Sequence, residues 1–131
     1  MRDELIQEET AKLDKVKGFD NGCEYLWGEY EGYIGLHHAD NYNRMNTDKQ
    51  FSAPRQELLH KWLREEHRMV IIMTPHKTQE DTVMWFSQVF TLKSYNMTFK
   101  SFNYISMFEK GDTYEEALEG GLKAALKLIK I

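Results

Sequence analysis

The sequence predicts an α+β fold: a mostly antiparallel sheet of three to five strands, with helices packed on one face, in the order α-(β-β)-α-β-β-β-α. Three observations lead there. Two amphipathic helical patterns, Ser52–His67 and Thr113–Ile129, bracket three runs rich in apolar, β-branched and aromatic residues. From Ser52 onward the order is therefore helix, three strands, helix, and the simplest solution is three antiparallel strands with both helices on one face. A glycine-punctuated aromatic stretch before Ser52 reads as a further strand pair. The 131 residues fit one domain, 1–131, with a helix and an aromatic, glycine-rich segment in 1–51 and the α-β-β-β-α unit in 52–131.

The elements follow in order. Asp3–Lys17 reads as a short helix, with Leu5, Ile6, Leu13 and Val16 on one side. Gly18 is placed to end it, and Phe19 to close a Schellman-type contact. "CEYLW" and "GYIGLHH" are two short strands joined by a turn between Gly28 and Gly32, and "ADNYNRMNTDKQ" has a loop composition. In "SAPRQELLHKWLREEH", Ser52 is a suitable N-cap and Pro54 suits the first turn. Leu58, Leu59, Trp62 and Leu63 form one stripe of this helix. "RMVIIMT" is apolar on both faces and reads as a buried central strand ended by Thr74-Pro75. "TVMWFSQVFTL" is a second strand, "KSYNMTFKS" a connection and "FNYISMFEK" a third strand.

In the last helix Thr113 and Glu116 form a T-x-x-E capping box. Glutamates lie early and lysines late, which complements the helix dipole, and Glu119 and Lys123 are spaced as an i,i+4 pair. Gly120 and Gly121 lie two turns inside, where backbone N–H groups are already bonded, so they are no phosphate cradle. Gly121 joins Tyr114, Ala117, Ala124 and Ala125 in a small-residue seam that lets the helix approach a sheet. Gly120 has no such packing reason.

The net charge of −4 lacks the basic field that coating nucleic acid requires. A single cysteine, Cys23, allows no intramolecular disulfide and fits a reducing, cytoplasmic setting. The charged N-terminus has no secretory apolar core, and no run is long enough to span a membrane.

No catalytic, cofactor-binding or metal-binding residue is assigned, and no cofactor is expected. There is no GxGxxG, P-loop, HExxH or GxSxG pattern. His37 and His38 point to opposite faces of a strand, and His60 and His67 lie two helical turns apart, so solvated surface histidines are expected. A site assembled from His37, Asp40 and His76 is the enzymatic alternative. Cys23, without a neighbouring base, reads as a small buried hydrophobe. The aromatic run Tyr25, Trp27, Tyr30 and Tyr33 is the candidate interaction surface, set against the reading that it packs a small sheet on the core.

Double-stranded-RNA-binding domains share the α-β-β-β-α order. In that family a lysine cluster at the start of the last helix grips phosphate, whereas the equivalent stretch here, "GDTYEEALEG", is acidic. "GDTYEEAL" is similar to a segment of HicB-family antitoxins. "SAPRQELLHKWLREEH", "TYEEALEGGLKAALKLI" and the start "ETAKLDKVKGFD" resemble small proteins of gut Bacteroides and of their phages and mobile elements. That resemblance implies a bacterial cytoplasmic or phage setting and transfers no site residue. The expected function is that of a non-enzymatic accessory protein acting through contacts with a protein partner or by self-association. The alternative is a nucleic-acid-binding module, which the charge disfavours, and no membrane association is expected.

Overall fold

The computed structural model describes residues 4–92 and 102–130. Helix α1 spans Glu8–Val16, strand β1 Cys23–Tyr30 and strand β2 Tyr33–Asn41. A 3₁₀ turn, Asn43–Met45, leads to β3, Gln50–Ser52. Then come α2 (Gln56–His67), β4 (Met69–Lys77), β5 (Val83–Leu92), β6 (Phe102–Gly111) and α3 (Tyr114–Leu128). The α+β class and the element order are those expected. The strands divide into two antiparallel three-stranded sheets, ordered β2-β1-β3 and β4-β5-β6. The connection expected in "KSYNMTFKS" lies outside the described residues.

Helix α3 lies across β4, β5 and β6, α2 packs on β4 and α3, and α1 joins α3 to β3. One apolar cluster unites them, with Leu59, Leu63, Ile71, Val89, Leu118, Leu122 and Leu126 at its centre. The small-residue seam faces this sheet. A Cβ on Gly121 would lie 2.8 Å from Ser87 Oγ and 3.0 Å from Ile71 Cγ2, so only glycine permits this approach. The capping box forms in modified form: Thr113 Oγ1 accepts from the Glu116 N–H at 3.1 Å, and the Glu116 carboxylate accepts from the Asp112 N–H at 3.2 Å.

Several local expectations are corrected. The first helix begins at Glu8, not Asp3. Leu5 is in an antiparallel bridge with Arg55 and buried Ile6 donates its N–H to Pro54 O, so this segment is extended. Helix α1 buries Thr10, Ala11 and Asp14, and Val16 is exposed. Its end is as expected: the Phe19 N–H bonds Asp14 O and the Gly18 N–H bonds Lys15 O, the paired bonds of a Schellman motif.

Second, Ser52 caps no helix. It is the last residue of β3, fully buried, and Arg55 holds the N-cap position of α2. Third, the "loop" over residues 39–50 carries the end of β2, the 3₁₀ turn and the start of β3. Fourth, β4 is an edge strand, not a central one, and it runs through Pro75, which pairs with Trp85. An edge tolerates proline because its missing N–H faces away from the neighbouring strand. On that outer side His60 Nε2 of α2 accepts the Ile71 N–H at 3.1 Å.

Two buried acids tie together elements that are distant in the chain. Glu119 of α3 does not pair with Lys123; it turns inward and is 4% exposed. Its carboxylate accepts from Thr10 Oγ1, from the Gln7 N–H at 3.0 Å and from Gln56 Nε2 at 3.1 Å. Gln7 is the N-cap residue of α1 and Gln56 opens α2, and neither helix has a side-chain cap of its own. One carboxylate thus serves the positive ends of two helices. Lys123 instead pairs with Glu9 at 3.3 Å. The second acid, Asp14, meets Asn43 of the 3₁₀ turn.

Candidate interaction surface

The β1–β2 hairpin is built by a two-residue turn. Glu31 and Gly32 both have positive φ, 51° and 84°, which is the type I′ geometry whose twist matches antiparallel strands. Near the turn of the hairpin Lys49 O accepts from the Glu29 N–H at 3.1 Å. This carbonyl would sit 2.0 Å from a Cβ on residue 28, which is why Gly28 is required there.

The four aromatic residues expected to form one surface do not act alike. The Trp27 indole donates to Ile6 O at 2.9 Å and its ring packs half-buried on the core. Half-buried Tyr25 packs at a tilt against His38, with ring centroids 4.8 Å apart, and Tyr30 against His37, at 5.5 Å. Tyr33 alone is open, at 74% exposure. Beside it stand Ile34, 83% exposed, and Leu36, 41% exposed. These two residues escaped an aromatic-centred reading. Their signal is the alternation in "YIGLHHA", Tyr33–Ala39, which contains no Lys, Arg, Asp, Glu or Pro.

Strand β2 is an outer strand of its sheet and pairs only with β1 among the described residues. Tyr30↔Tyr33 closes a two-residue turn and is therefore a hydrogen-bonded pair, as are Gly28↔Gly35 and Leu26↔His37. The N–H and C=O groups of Ile34, Leu36 and His38 consequently point away from β1. Beyond His38 the register slips by one residue before Asn41, so the regular pairing with β1 ends there. Strand β4 is defended differently: its edge carries Pro75 and Lys77, and His60 accepts at Ile71. Among the described residues strand β2 has no such guard between Tyr33 and His38.

The histidines do not converge. His37 and Asp40 lie on β2, whereas His76 is on β4 in the other sheet, against the Phe86 ring. No group of three His, Cys, Asp or Glu residues placed to hold a metal occurs among the described residues. The expectation of solvated histidines is corrected at His60. It is half-buried, and burial first and the Arg64 charge second lower its pKa to about 4. This neutral ring is the acceptor that Ile71 needs.

An open cleft of about 220 Å³ lies beside Leu5, Cys23, Tyr25, Pro54, Arg55 and Leu58. That is below the usual range of small-molecule pockets, about 300–1,000 Å³. Cys23 is buried, and burial followed by the Asp14 charge pushes its thiol up to about 12, so it is a poor nucleophile. No family model, curated protein or solved structure matches the chain. No helix among the described residues is long and apolar enough to cross a membrane.

Proposed function

We propose that the protein is a non-enzymatic accessory factor that works by binding protein chains through the exposed end of the β1–β2 hairpin. The supporting observation is the unguarded edge of β2, with Tyr33 and Ile34 exposed at 74% and 83%. Exposed apolar side chains beside unpaired backbone donors and acceptors suit strand addition, in which main-chain bonds give affinity and alternate side chains give specificity. The bacterial cytoplasmic setting, in a phage or mobile element, rests on the resemblance of Ser52–His67 and Thr113–Ile129 to small proteins of that origin.

The test is a pull-down from bacterial lysate with immobilised wild type and with a Tyr33→Ser/Ile34→Ser variant of unchanged melting temperature. Loss of the bound proteins in the variant supports the reading. Retention of every one moves the surface elsewhere. The alternative, nucleic-acid binding by the α2-β4-β5-β6-α3 unit, predicts salt-sensitive retention on RNA or DNA. Such retention, unaffected by the hairpin variant, would replace the proposal.

A further inference from the structure

Resting on that reading, we infer that the chain seated on the β2 edge is a second copy of this protein, joined as an antiparallel β2–β2 pair about a two-fold axis at Leu36. The inference follows from which groups face outward. Only alternate residues of an edge strand offer both backbone groups to a newcomer, and on the regularly paired part of β2 these are Ile34, Leu36 and His38. One register lets all of them bond to one another. Leu36 meets Leu36 of the second copy on the axis, and Ile34 and His38 each meet the other residue. Sliding the partner by one pairing step in either direction fails. One slide leaves His38 opposite the turn glycine, Gly32; the other brings Asp40, where the ladder is already irregular, into the pairing.

Side-chain shape and charge agree with this register. On one face Leu36 lies against Leu36. On the other, Tyr33 falls opposite Ala39 and His37 opposite Gly35, so each ring faces a small residue. Cross-strand pairs of this kind decide sheet stability. Charge points the same way. The chain carries a net −4, which opposes association, yet Tyr33–Ala39 contains no formally charged residue with histidine neutral. Glu31 falls opposite Asn41 and Asp40 opposite Gly32, so no carboxylate faces another. The product is one continuous six-stranded sheet, β3-β1-β2-β2-β1-β3, that removes the exposed edge from both copies.

Sedimentation equilibrium of the purified full chain tests this. The expected mass is twice 15.6 kDa at about 100 µM protein. Leu36→Lys, which sets two like charges opposite each other on the axis, should weaken the dimer by about tenfold or more. A second measurement fixes the register without depending on that variant. Paired Cα atoms at the axis lie about 5.5 Å apart, within disulfide range, so Leu36→Cys should cross-link to a dimer under mild oxidation. Ile34→Cys should not, because like residues there are about 13 Å apart. A monomer at this concentration, a dimer indifferent to Leu36→Lys, or equal cross-linking at both positions overturns the inference. If the purified chain is a monomer while Tyr33→Ser/Ile34→Ser still strips lysate proteins, self-pairing fails and the broader protein-binding reading stands.

Discussion

Asn43 donates its side-chain amide to Asp14 Oδ1 at 3.1 Å, while Asp14 Oδ2 meets no partner among the described residues. Both side chains are buried, Asp14 at 0% exposure. The same amide also donates to Phe19 O at 2.8 Å, and Asn43 Oδ1 accepts the Ser52 N–H at 2.8 Å. One asparagine therefore ties the end of α1 to β3, and it does so next to an acid that lacks solvent. Burial raises the Asp14 pKa well above the usual carboxylate range, against the opposing pull of Asn43 and Lys15. The folded chain prefers this carboxyl protonated.

The sign of the pH effect follows. With its folded pKa raised, Asp14 contributes stability that is present below its unfolded pKa and is lost as pH rises through the folded value. Asp14→Asn retains the acceptor for Asn43 and cannot ionise. It should stabilise the protein by about 1–3 kcal/mol at pH 8, with the gain shrinking toward pH 4. Urea unfolding of both proteins at the two pH values measures this. A gain that grows on acidification would contradict it.

Gly121 lies where α3 abuts the second sheet. A Cβ there would lie 2.8 Å from Ser87 Oγ and 3.0 Å from Ser87 Cβ, and Ser87 is fully buried. Gly121→Leu should lower stability by about 3 kcal/mol through overpacking. Gly120, half-buried on the same helix, is the control. Gly120→Ala should be neutral or stabilising by up to about 1 kcal/mol, because alanine favours the helix. Denaturant midpoints of the two variants decide the matter. A stable Gly121→Leu protein would mean that the seam does not face the sheet.

The order of elements was legible because apolar periodicity at Leu59, Trp62 and Leu63, and again at Ala117, Gly121 and Ala124, reports a buried helical face directly. Strand position was less legible. "RMVIIMT" looks central by composition, yet in an edge strand Met69 and Ile71 still need burial while Ile72 is left exposed. What lay beyond sequence was polar burial. Asp14 finds Asn43, and Glu119 finds Thr10, across long stretches of chain. Hydrophobic spacing carries no trace of such pairs, so Leu5 and Ile6 suggested a helical face that α1 instead builds from Thr10, Ala11 and Asp14. The candidate surface was half legible for a related reason. Aromatic content marked the hairpin, but only register distinguishes Trp27, held by Ile6 O, from the open residues of β2.

His60 gives a second titration, of opposite sign to Asp14. Its pKa is lowered from 6.5 to about 4, so its contribution is present above pH 6.5 and is lost as pH falls through that window. Protonation would place a donor where the Ile71 N–H needs an acceptor. The ring is only partly buried, and solvent screening reduces the effect to the order of 1–2 kcal/mol. His60→Gln keeps a carbonyl acceptor and does not titrate. Between pH 7 and pH 4 wild type should therefore lose about 1–2 kcal/mol more stability than the variant. Equal losses in both proteins would show that His60 is not the titrating group.

Glu119 should be the costliest single polar position. Removing its side chain in Glu119→Ala strands the Thr10 hydroxyl, the Gln7 N–H and one bond of the Gln56 amide at the starts of two helices. Each buried donor left unpaired costs about 1–3 kcal/mol, so a total of about 3 kcal/mol or more is expected. Gln56 retains its bond to Glu115 O at 2.9 Å, so the start of α2 should survive better than that of α1. Glu119→Gln keeps one acceptor oxygen but turns an amide toward the remaining donors, and should lose roughly half as much. Amide hydrogen exchange separates this local account from general loosening. In Glu119→Ala, protection should fall most at Gln7 and Thr10, while the paired residues of β4 and β5 change only as far as global stability does. Uniform loss of protection across the chain would mean that Glu119 supports the whole core and is not specifically the anchor of α1.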